Sequence, residues 1–142
     1  MGRKMGKIQK LTINCIVLIS FSSAIFTDEL KDIIDSKKSS FEEIALDIWN
    51  YAELGYLETK SSNLLASELE ENGFIIQKGV AGIPTSFIAE FNNGGPVIGI
   101  LGEFDALPGL AQTNSPFKEV ADNETGAGHA CGHHLFGAAS AW

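Results

Sequence analysis

Pro96-Val97-Ile98-Gly99-Ile100-Leu101 runs directly into Gly102-Glu103-Phe104-Asp105-Ala106-Leu107-Pro108. The first six residues carry no charge and no polar side chain, which is the composition of a strand covered on both faces. Two carboxylates, Glu103 and Asp105, follow where that strand would end. In open α/β sheets ligands bind outside the carboxyl ends of strands, so this pair marks a candidate site. The plainer reading is that both acids are solvated loop residues.

Upstream, Asn92-Asn93-Gly94-Gly95 is a turn signal, because Asn and Gly tolerate positive φ. Before it, Thr85 to Phe91 and Phe74 to Ile76 read as strands. Further back the period changes to helical. Lys60 to Glu71 places Leu64, Leu65 and Leu69 inward, with Gly73 just past the end. Ser40 and Glu43 form a capping-box pattern that would open another helix. Phe41, Ile44, Ala45, Ile48, Trp49 and Ala52 follow at helical spacing, and Gly55 is expected to stop it. Thr27 to Ser36 reads as a short helix with Leu30, Ile33 and Ile34 on one face. These apolar stripes are core packing. Downstream, a polar loop from Gly109 to Gly128 leads to an apolar run, Leu135 to Trp142, that reads as helical. Helices, then strands, then a helix predict an α/β layered domain. The sequence stops inside the last run without a cap, which reads as the first part of a larger domain.

The chain has 142 residues, 44% hydrophobic and 20% charged, with formal net charge −8. Mean hydropathy is +0.08 and the sequence pI about 4.7. That composition is globular, and its acidity argues against a nucleic-acid partner, which would call for a basic footprint. The charge is unevenly placed. Arg3, Lys4, Lys7 and Lys10 precede the first acid, Asp28, and the remainder holds six basic and eighteen acidic residues. A basic start followed by the apolar run Leu11 to Phe26 has the order of a secretory signal. Residues 1–26 are therefore expected to direct export, to the periplasm or outside the cell, with a cut after Ala24. An uncleaved anchor and a start codon assigned too early are the alternatives. Residues 27–142 form the body. With Cys15 in the signal, Cys131 has no intramolecular partner.

All three histidines lie in one stretch, His129-Ala130-Cys131-Gly132-His133-His134. Thiolate and neutral imidazole suit zinc-like ions. On an extended backbone Cys131 and His133 would lie on one side, with Gly132 allowing close approach. Other readings stay open: a nucleophilic cysteine with a nearby histidine, or an inert cysteine beside solvated histidines. A closed structural zinc site needs four protein ligands, and no second Cys-x-x-Cys is present. A carboxylate beside a metal-bound histidine commonly accepts the imidazole's other N–H, and Asp105 is placed in sequence for that role.

Gly-Glu-Phe-Asp-Ala-Leu-Pro followed by His-Ala-Cys-Gly-His-His resembles the metal-dependent peptidase and amidohydrolase family M-20. The similarity is to the branch holding N-acyl-amino-acid and p-aminobenzoyl-glutamate hydrolases. Ala52-Glu53-Leu54-Gly55-Tyr56 and Gly82-Ile83-Pro84-Thr85 resemble the same branch, so the likeness covers about residues 40–142. It implies the N-terminal part of an αβα sandwich catalytic domain with a mixed central sheet, incomplete here. It further implies a two-metal centre, zinc or manganese, hydrolysing an amide next to a carboxylate. The substrate would be a small N-acyl-amino acid, p-aminobenzoyl-glutamate or a dipeptide, and the complete parent a homo- or hetero-oligomer. By resemblance Cys131 and His133 are metal ligands and Asp105 the catalytic aspartate. Glu103 stands where relatives often have aspartate, and His134 where many amidohydrolases have aspartate. His129 matches a histidine that is not a usual ligand. The general base and remaining ligands are expected beyond Trp142. A non-catalytic metal-binding or interaction remnant of such an enzyme is the second reading.

Overall fold

The computed structural model describes residues 7–142, with side chains from Asp28 onward. The expected signal, residues 1–26, thus lies outside the described side chains. The elements are α1 (Lys7–Tyr51), α2 (Thr59–Glu71), β1 (Ile75–Lys78), β2 (Phe87–Glu90), β3 (Leu107–Pro108), β4 (Ala127–Gly128) and α3 (His133–Ala141). The chain divides into two units, Met1–Lys38 and Ser39–Trp142.

In the first unit, the described side chains are surface groups. Leu30, Ile33 and Ile34 are exposed, Lys31 pairs with Asp35 one turn on, and the Ser36 hydroxyl donates to the Ile33 carbonyl at 2.7 Å. The expected helix is present, but its apolar face covers no core. The expected restart at Ser40 is corrected: Ser40 and Glu43 lie in the interior of α1. Between residues 7 and 54 there is neither Gly nor Pro, so nothing in the backbone chemistry ends the helix earlier.

In the second unit, the inward face of α1 builds the core. Phe41, Ile44, Ala45 and Ile48 meet Leu65 of α2 and Ala138 of α3, with Phe87 and Phe104 packed against them. Ala52, not Gly55, turns the chain out of α1. Its φ is +43, and its small side chain is buried with Ala106 and Ala127 in a second cluster. Two short antiparallel sheets complete the unit. β1 pairs with β2 from Ile75↔Glu90 to Lys78↔Phe87, and β3 pairs with β4 through Leu107↔Gly128 and Pro108↔Ala127. Leu54 and Ala106 form a parallel bridge beside the second sheet. The architecture is mixed α/β, two small sheets flanked by helices, in keeping with part of an αβα sandwich.

One expectation fails. Residues 96–101 are not a buried strand: Val97 is 99% exposed and Ile98 83%, and no strand is assigned there. The Asn92–Gly95 turn does form, with the Gly94 N–H donating to the Asn92 side chain at 3.0 Å. Hydrophobicity states what a segment would bury, not whether a partner lies beside it. Among the described residues, β1 and β2 pair only with each other.

Candidate metal centre

Glu103 and Asp105 flank Phe104. Successive side chains in an extended segment point to opposite faces. Phe104 takes the core side, stacked on Phe87 at 6.1 Å, so both carboxylates take the other. Their position is fixed from two directions. The Ala106 N–H donates to the Glu53 carbonyl at 2.7 Å. The Glu53 carboxylate in turn accepts the backbone N–H groups of Lys60 (3.0 Å) and Ser61 (2.9 Å). It thereby satisfies orphan donors at the start of α2 from outside that helix, and Glu58 at the N-cap makes no capping bond.

His133 comes from the first turn of α3. Gly132, at φ +78, starts that helix, and its N–H donates to the His129 carbonyl at 3.0 Å. α3 approaches the 103–104 backbone closely because Gly137 faces it. A Cβ at Gly137 would stand 3.0 Å from Phe104 Cβ and 3.1 Å from the Glu103 carbonyl. The result is a three-residue group, Glu103, Asp105 and His133, with one ligand atom from each lying within 4.8 Å of the others. His133 Nδ1 is 2.7 Å from Asp105 Oδ1 and Nε2 is 3.0 Å from Glu103 Oε2.

This geometry makes a chemical demand. In a neutral ring Nδ1–H donates to Asp105, which leaves the Nε2 lone pair facing the Glu103 carboxylate. Two acceptors at that separation repel unless a proton or a metal cation lies between them. Ligands sharing one ion, each about 2.0–2.2 Å from it, lie roughly 3 Å apart, so the donor set fits a divalent ion. Asp105 then plays the part of a carboxylate that fixes the imidazole tautomer.

The structure therefore brings Asp105 and His133 together and adds Glu103. Cys131 is exposed and is outside this group. The extended backbone expected across Cys131–His133 is replaced by a turn, because Gly132 adopts a left-handed conformation. His129 and His134 face elsewhere. His129 is 3% exposed, and its Nε2–H donates to the Ile48 carbonyl at 2.9 Å. Burial pushes its pKa below the ordinary histidine range. Burial, with a smaller contribution from His129, pushes His134 down to about 4. Glu53 is legible in the sequence as part of the Ala52–Tyr56 stretch that resembles the family, but its support of the site is not, since that rests on the Ala106 N–H bond across 53 positions.

No family model matches the sequence. Curated proteins do. The chain is 40% identical over 111 residues to a subunit of p-aminobenzoyl-glutamate hydrolase from Escherichia coli (strain K12), covering 78% of this chain and 23% of that protein. It is 31% identical over 104 residues to hippurate hydrolase of Campylobacter jejuni, covering 73% of this chain and 26% of that protein. It is 38% identical over 89 residues to N-acetylcysteine deacetylase of Bacillus subtilis (strain 168), covering 61% and 22%. The chain spans about a quarter of the length of the curated relatives it matches.

Proposed function

Because the chain is homologous to amidohydrolases of family M-20, we propose that Glu103, Asp105 and His133 hold a divalent ion belonging to an amide-hydrolysing centre. The observation that carries this is the His133 ring held between two carboxylates, at 2.7 and 3.0 Å. Such an ion, when bound, supplies Lewis acidity toward the carbonyl of an amide. The chain's own residues do the rest. Asp105 orients the His133 ring, Glu103 supplies negative charge, and Phe104 anchors both carboxylates to the core.

For the 142-residue chain itself we infer metal binding without catalysis. Among the described residues one ligand group of this kind is found, and a two-metal hydrolytic centre requires more. In the whole protein two zinc or manganese ions would be held, Cys131 joining as a further ligand and Asp105 acting as the catalytic aspartate. The substrate class is a small N-acyl-amino acid, p-aminobenzoyl-glutamate or a dipeptide, and the assembly a homo- or hetero-oligomer. The relatives' names support the amide chemistry. The test is equilibrium dialysis against Zn2+ or Mn2+ beside an assay with p-aminobenzoyl-glutamate. We expect metal to bind at the Glu103–Asp105–His133 group and no turnover. Absence of binding would overturn the metal reading, and metal-dependent turnover would overturn the non-catalytic one.

Residues 1–26 are proposed to direct export to the periplasm or beyond. The basic-then-apolar order supports this. N-terminal sequencing of the exported protein should begin near Ile25. Recovery of the intact N-terminus in the cytoplasmic fraction would refute it.

A further inference from the structure

We propose that His129 and His134 form a second cation site, an imidazole pair for a borderline first-row divalent ion, separate from the Glu103–Asp105–His133 group. Nδ1 of His129 and Nδ1 of His134 are both buried and both lack a hydrogen-bond partner. Buried polar atoms without partners are rare and costly. For His129 the tautomer is fixed by chemistry. Nε2 must carry the proton, because the Ile48 carbonyl it contacts at 2.9 Å can only accept. Its Nδ1 therefore presents a bare lone pair, inside a residue that is 3% exposed.

The second ring stands at the right range. The two ring centroids are 5.2 Å apart, with planes at 53°. Two imidazoles on one tetrahedral ion, each nitrogen about 2.0–2.1 Å from it, place their ring centres roughly 5 Å apart. His134 also lines a groove with Trp49, Asn50, Asp122 and Asn123. Imidazole nitrogen selects zinc, nickel and copper over magnesium and calcium.

Trp49 provides the reporter, since its ring centroid is 4.9 Å from that of His134. Trp142, the other tryptophan, is stacked on Phe41 and can be replaced by Phe. The experiment titrates the untagged W142F chain with Ni2+, chosen because it does not oxidise the Cys131 thiol, and follows Trp49 fluorescence. Saturable quenching is expected in W142F and equally in W142F/H133Q. It should weaken by at least about 10-fold in W142F/H134Q and in W142F/H129Q. Glutamine at 129 keeps a donor for the Ile48 carbonyl while removing the Nδ1 lone pair, so the fold is spared. Absence of saturable quenching in W142F would overturn the proposal. So would quenching that survives H129Q and H134Q but disappears with H133Q, which would assign the ion to the carboxylate group instead.

Discussion

His133→Gln should lower the affinity for Zn2+ or Mn2+ by about 100-fold or more, because it removes the imidazole nitrogen that faces Glu103, while Asp105→Asn should cost roughly 10–100-fold. The two losses have different origins. Glutamine at 133 removes a ligand. Asparagine at 105 keeps the shape but offers an N–H to Nδ1, so the proton moves to Nε2 and blocks the face that looks toward Glu103 at 3.0 Å. In the whole protein, where Cys131 is proposed to join as a ligand, Cys131→Ser should separate the metals: a soft thiolate contributes more to zinc than to manganese, so zinc affinity should fall more. Isothermal titration with each metal reads all three variants. Unchanged zinc affinity in His133→Gln would remove this group from consideration as a metal site.

Ile48→Ala is expected to destabilise the second unit by about 2–5 kcal/mol, the range for deleting a fully buried aliphatic side chain and leaving a cavity. Ile48 is 0% exposed and is packed with Phe41, Ile44 and Leu65. That loss is a large part of the roughly 5–15 kcal/mol total of a typical domain. Leu46, two residues earlier on the same helix, is 56% exposed, and Leu46→Ala should stay within about 0.5 kcal/mol. Urea midpoints of the two variants make the comparison. Equal midpoints would show that α1 does not carry the core.

Local chemistry is legible in the sequence where the signal lies within a few residues. The helical stripe of α2, with Gly73 past its end at φ +91, and the alternation Glu103–Phe104–Asp105 are of this kind. The meeting of Asp105 with His133 is legible because each motif is chemically unusual and the family resemblance joins them. Glu103 is harder to place from sequence, because its residue type departs from the common aspartate. Its longer side chain nonetheless reaches the ring. Contacts across long separations are not legible. His129 with Ile48 spans 81 positions, and neither residue carries a mark of the other. Ile44 and Leu46 look alike in the sequence, and only the helical phase separates core from surface. The 96–101 run misleads for a related reason, since its composition describes a need for neighbours and not their presence.

That bare run has a colloidal consequence. Val97, Ile98, Ile100 and Leu101 stand in water with no charged gatekeeper between Pro96 and Gly102, the pattern by which chains nucleate edge-to-edge stacks. What keeps two copies apart is mutual repulsion between molecules of net charge −8. That repulsion reaches about 30 Å in 0.01 M salt but only about 8 Å at physiological ionic strength. Ionic strength therefore sets the dispersion of the chain: dilute buffer holds copies outside contact range, and salt lets the apolar runs find each other.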